Sequence, residues 1–302
     1  MGPNPVLKRL GFDDTDRLVV IHTDDIGMCQ ASVSAFSDLS EVGVISSGAV
    51  MMPCPWALAA VGIQLKNPVV DLGVHITLTS EWKNYRWGPL STRDVKSGLI
   101  DNEGYFYHRA KPAQEHADPV AAKMEMEEQI RLALQVGLKP THIDTHMGTV
   151  AHQKFMLDYI QLGLVNHLPP MLFRMDENGW RQNGLDENTA KLAVQIMMNL
   201  EAQGVPLFDH LRGMPLDTPE NRKERTLAQF AELPVGLSHF IIHPSKNTPE
   251  LQAITPDWPC RVADYDVFIK AEMKELIQNL GIHIIGYREL QQLLPSSPIV
   301  FS

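Results

Sequence analysis

Leu18-Val19-Val20-Ile21-His22-Thr23-Asp24-Asp25 is the stretch that decides the fold. Its first four residues are apolar without alternation and rich in β-branching. A strand with one wet face alternates, whereas a continuous run suits a parallel strand buried on both faces. His22, Asp24 and Asp25 follow at once. In parallel α/β folds the carboxyl ends of the strands gather on one face, and that face carries the site. The stretch therefore predicts an architecture and the place to look for chemistry.

The same order recurs outward from it. Residues 31–41 predict a helix closed by Gly43, 48–52 a strand, 56–64 a helix and 69–76 a strand. Residues 80–118 break the rhythm, with Gly, Pro and aromatics and no period. Asp118-Pro119 then offers a helix cap and a first-turn proline. Met126, Ile130, Ala133 and Leu134 keep one helical face as far as Gly137. Strands are expected at 141–144, 171–174, 205–208, 237–242 and 283–285, and helices at 189–203 and 266–280. Pro206 weakens the strand at 205–208. Alternation over about eight strands favours a closed (β/α) barrel over an open sheet. There is no repeat, low-complexity tract or linker, so one domain over 1–302 is expected, with 80–118 as an insertion that reads as a lid.

Composition removes several function classes. The net charge is -10 and no Lys/Arg run occurs, so nucleic-acid binding has no electrostatic footprint. The three cysteines, Cys29, Cys54 and Cys260, are scattered, which argues against a disulfide framework. The amino terminus lacks a basic-then-apolar leader, and Val6 stands where myristoylation wants Ser or Thr. No apolar run approaches a membrane span. The expectation is a cytoplasmic protein with no membrane partner.

Further polar residues fall at expected strand ends. His75 closes the third strand. His142-Ile143-Asp144-Thr145-His146 closes the fourth. Asp209 and His210 follow residues 205–208, and His243 follows 237–242. Imidazole and carboxylate bind a divalent ion, and a catalytic site leaves one position for water. Paired Asp24-Asp25 suits a division of labour between metal binding and proton transfer. Each group also has a plainer reading. Asp24-Asp25 fits a turn with a helix cap, and His75 fits a hydrogen-bonded core histidine. His142, Asp144 and His146 alternate and so share one strand face, where they could form a purely structural cluster. Asp209 and His210 suit a pocket or a structural role equally. Trp82, Trp87 and Tyr105 could stack on sugar rings or pack their loop onto the barrel. His108, His116, His152, His167 and His239 carry no motif.

Thr23-Asp24-Asp25-Ile26-Gly27 resembles the Asp-Asp-Phe-Gly signature of the YdjC-like carbohydrate deacetylases, with Ile for Phe. Leu72-Gly73-Val74-His75-Ile76-Thr77-Leu78-Thr79 is similar to their Gly-x-His-x-x-Leu-Thr segment. Lys139-Pro140-Thr141-His142-Ile143-Asp144-Thr145-His146 and Ile242-His243-Pro244 match two later segments, in the family's order. The resemblance implies an irregular (β/α) barrel of the polysaccharide-deacetylase kind. It implies one divalent ion on Asp25, His75 and His146, with Asp24 as base and His243 as acid. His142 and Asp144 would then orient His146. Zinc, cobalt or nickel suit imidazole ligands, while magnesium is often assigned in relatives. The implied substrate is an N-acetylated sugar, small if residues 80–118 close over the mouth, and the resemblance suggests a homodimer. Relatives usually carry further histidines after the second ligand; here Met147-Gly148-Thr149-Val150 follows. Rival readings are a two-metal barrel hydrolase acting on an amide, ester or phosphoester, and a non-catalytic sugar binder.

Overall fold

β1 (Arg17–Ile26) runs through the centre of the protein with every residue after Arg17 buried. The computed structural model describes residues 2–297 and 299. Around β1 stand β2 (Ser47–Val50), β3 (Leu72–Ile76), β4 (Ile143–Thr145), β5 (His210–Gly213), β6 (Gly236–Ile242) and β7 (Ile282–Ile284). The order is β4-β3-β2-β1-β6-β5, with β7 on β1, and every pairing is parallel. Burial on both faces explains the unbroken apolar run with which β1 begins.

The sheet curls into an irregular barrel. Between β4 and β5 its wall is reduced to single bridges, Ile143 to Pro170 and Phe173 to Phe208. The strands expected at 171–174 and 205–208 shrink to these bridges. Pro169, Pro170 and Pro206 have no N–H to give a ladder there.

Helices cover the outside. Pro119–Gln135 starts as expected, with the Asp118 side chain accepting from the Ala121 N–H. The single helix expected over 266–280 is instead two, Trp258–Phe268 and Glu272–Asn279. The first of these buries Arg261 and Asp264 along with Cys260 and Val267. Charged residues on its inner face conceal its apolar period. Among the described residues no helix is long and apolar enough to cross a membrane.

Neighbours in register on parallel strands point to the same side. His75 lies opposite Asp144, and Val20 opposite His239. The interior is consequently polar, with His22, His75, His142, Asp144 and His239 all essentially excluded from solvent. Gly73 makes room for them, since a Cβ there would lie 2.5 Å from the His142 ring.

Candidate metal centre

β1 ends in a bulge. Its register against β2 shifts between Thr23 and Ile26, and Asp25 adopts a left-handed φ of 61°, a region Asp tolerates better than most residues. Consecutive side chains on a regular strand face opposite ways. The bulge instead turns Asp24 and Asp25 into one space. Gly27, at φ 90°, completes the turn where a Cβ would sit 3.0 Å from the Ala57 Cα.

Asp25 Oδ1 lies 3.5 Å from His75 Nε2 and 3.1 Å from His146 Nδ1. Asp25 Oδ1 and His75 Nε2 are buried and have no hydrogen-bond partner. Unpaired buried polar atoms are costly, and two facing each other could share a cation. One carboxylate and two imidazoles, with ligand atoms within 4.8 Å of one another, fit a divalent ion that keeps a further position open. His22, His142 and Asp144 also cluster. There, however, His22 Nε2 and His142 Nε2 bond each other at 2.9 Å.

Asp25, His75 and His146 are each held by a partner. His75 Nδ1 lies 2.8 Å from Asp144 Oδ1. Asp144 thus orients His75 rather than His146, because β3 and β4 pair with those two residues opposite. His146 sits in the short 3₁₀ turn just past β4, with Nε2 3.0 Å from Glu81 Oε2. Arg261 Nη1 donates to Asp25 Oδ2 at 2.7 Å. Nothing in the sequence marked Glu81 or Arg261. The one available signal is that Glu81 adjoins Trp82.

Asp24 faces the same space. His22 Nδ1 donates to its Oδ1 at 2.7 Å, which leaves Oδ2 free, 3.8 Å from His75 Nε2 and 3.9 Å from His243 Nε2. Burial would raise the Asp24 carboxyl, but His75 and the His22 bond overcome this and hold it below the carboxylate range. His243 is the most open of these groups, with 20 % of its side chain exposed. Its backbone N–H donates to Asp264, which Arg222 holds in turn.

Burial would also lower the two imidazoles. For His75, Asp144 and Asp24 reverse the effect and push it well above the usual histidine range. For His146, Glu81 and Asp25 push it up to about 9.

Beneath lies the barrel floor. The His142 ring stacks on Tyr287 at 3.7 Å, and His239, which no motif marked, packs 4.8 Å from His22. Burial and then the neighbouring His22 keep both well below the usual histidine range. His142 therefore contacts His22 and Tyr287 rather than orienting His146.

The remaining expected residues lie elsewhere. β5 begins at His210, opposite Ser238 near the start of β6. Asp209 and His210 are therefore at the amino-terminal ends of the strands, on the far side from Asp24. Asp209 ties together Asn4, Arg174 and the Leu237 N–H. Trp82 and Trp87 are only 7 % and 3 % exposed, so they present no face to a sugar. Trp82 lies 5.5 Å from the Arg261 guanidinium, and Trp87 donates to the Thr79 carbonyl at 2.8 Å. Tyr105 is half-exposed, with Arg86 over its ring. Met147 takes the left-handed φ of 53° and is exposed.

Residues 18–279 match the family described as YdjC-like protein. The chain is 28 % identical to a carbohydrate deacetylase of Thermus thermophilus, over 96 % of this chain and 99 % of that one. It is 25 % identical to a chitooligosaccharide deacetylase of Yersinia enterocolitica, over 91 % and 99 %. Its fold resembles that of an Enterococcus faecalis protein described as a cellobiose-phosphate cleavage protein. The TM-score there is 0.70 at 21 % identity, covering 91 % of this chain and 99 % of that one. With a family match over most of its length, the chain belongs to the YdjC-like proteins.

Proposed function

We propose that this chain is a metal-dependent hydrolase that removes the acetyl group from a small N-acetylated sugar or a short oligosaccharide. One observation carries the reading. Buried Asp25 Oδ1 and His75 Nε2 face each other without partners, next to His146 Nδ1. The names of the relatives in Thermus thermophilus and Yersinia enterocolitica point to the reaction class.

Asp25, His75 and His146 would hold the ion. A divalent ion bound there supplies polarisation of an amide carbonyl and lowers the pKa of water toward ~7. Asp24 accepts a proton at Oδ2, because Oδ1 is committed to His22. His243 Nε2 protonates the departing amine, which is a poor leaving group without that proton. The 3.9 Å between Asp24 Oδ2 and His243 Nε2 supports this pairing of base and acid. Zinc or magnesium is the expected ion, with cobalt or nickel chemically suited. Residues 80–118 act as the lid that restricts the site to small sugars. Of this segment, Glu81 touches the site itself.

The test is acetate release from N-acetylglucosamine, its short β-linked oligomers and polymeric chitin, with each metal and with a chelator. Release from the small sugars that needs metal is expected. Greater release from polymer contradicts the closed mouth, and silence on every acetamide contradicts the reaction.

A further inference from the structure

His146 is the ligand that the barrel holds least well. His75 stands in β3, braced by Asp144 on the adjacent strand. His146 lies beyond the end of β4, in a turn whose next residue, Met147, takes a left-handed φ of 53°. Asp25 of β1 lies 3.1 Å from its Nδ1 and the His75 ring of β3 packs 5.3 Å from its own, but among the described residues no strand residue bonds its Nε2. The one side chain that meets its Nε2 is Glu81, at 3.0 Å, and Glu81 comes from the irregular segment after β3.

We infer that Glu81 is a positioning residue for the metal ligand His146, an inference that rests on the metal-dependent reading above. A carboxylate can only accept, so His146 Nε2 carries the proton and donates it. That bond fixes the tautomer and leaves the Nδ1 lone pair directed at the space shared with Asp25 Oδ1 and His75 Nε2. It also makes the imidazole a better donor. Asp144 does the same for His75 through the opposite ring atom, with Nδ1 bonded and Nε2 free. Two carboxylate–histidine pairs thus face one point from different parts of the chain.

The surroundings hold Glu81 to this task. Among the described residues, its side chain has no bonded partner but His146. His108 Nδ1 lies 3.1 Å from the Glu81 backbone carbonyl, and the Ser80 N–H donates to the Tyr107 carbonyl at 2.9 Å. Trp82, the next residue, packs on Arg261, which grips Asp25. The start of the segment therefore touches two of the three ligands, one directly and one through Arg261. Residues 80–118 help to build the metal centre as well as covering it.

The test is cobalt affinity by competition with a chromophoric chelator, without substrate, for wild-type protein, Glu81→Gln and Glu81→Ala. Circular dichroism checks the fold. Glu81→Ala should weaken binding by about 10–100-fold. Glu81→Gln should lose less, because its amide oxygen still accepts from Nε2–H. The visible cobalt spectrum of Glu81→Ala should keep the wild-type band intensities once saturated, since no ligand is lost. Wild-type affinity in Glu81→Ala overturns the inference and leaves the proposed function standing. A spectrum that shows a lost ligand also overturns it, because Glu81 is then a ligand itself. Wild-type protein that binds no cobalt overturns both.

Discussion

Arg261 Nη1 reaches Asp25 Oδ2 at 2.7 Å across 236 residues of chain, and both side chains are about 97 % buried. The same guanidinium bonds Asp257 one helical turn away and lies against Trp82. This grip assigns the two oxygens of Asp25 different roles. Oδ2 is paired with arginine, and Oδ1 faces His75 and His146 without a hydrogen-bond partner.

Breaking a buried ion pair by removing one partner costs about 3–5 kcal/mol, because the remaining charge stays buried. Arg261→Met should lower the stability of the metal-free protein by about that much in urea denaturation. Zinc should restore more stability to the variant than it adds to the wild type, because an ion gives the orphaned Asp25 a cation. Equal gains in the two proteins would contradict this geometry.

Metal binding should release protons. Without metal, His146 is held protonated up to about 9 by Glu81 and Asp25 against the opposing effect of burial, and His75 is raised as well. A raised histidine is charged below its pKa, so an ion must displace the proton there. Apparent affinity should climb with pH, by about one log unit per pH unit for each proton displaced. Titration in buffers of differing ionisation enthalpy measures the release directly. Affinity that stays flat across roughly pH 6–8 would contradict it.

Trp87 should behave as a core residue. It is 3 % exposed and its indole N–H donates to the Thr79 carbonyl. Trp87→Ala should cost about 3–5 kcal/mol in stability. A variant of wild-type stability with raised KM would show that the ring meets substrate after all.

The parts legible in sequence are those that repeat a local pattern. Leu18 to Asp25, His75, His142 to His146 and His243 each follow an apolar strand, and parallel pairing brings them to one region. Chemistry that depends on contacts between distant segments was not legible. Glu81 lies where no periodicity exists, and Arg261 on a helix whose buried face is partly charged. His210 misled for a related reason. Val205 to Phe208 reads as a strand by hydrophobicity, yet pairing with β6 begins only at His210. A residue that should have closed a strand opens one, at the other end of the barrel. Asp144 was expected to orient His146, but strand register puts it opposite His75, whose Nδ1 it meets at 2.8 Å.

Substitution of Asp24 should separate binding from turnover. Its Oδ1 is bonded to His22, and its Oδ2 is 3.8 Å from His75 Nε2. Asp24→Asn should retain metal and lose acetate release by about 10²–10⁴-fold, the usual size of a general-base contribution. If metal leaves with that change, Asp24 shares the ligand role with Asp25.

The central claim is that Asp25, His75 and His146 together hold the ion on which activity depends. Metal content by elemental analysis of zinc-loaded wild-type protein and His146→Ala tests it most directly, with circular dichroism to confirm the fold. The account predicts one zinc per wild-type chain, and a folded His146→Ala that loses its zinc on dialysis and releases no acetate. Full zinc occupancy in folded His146→Ala would contradict it.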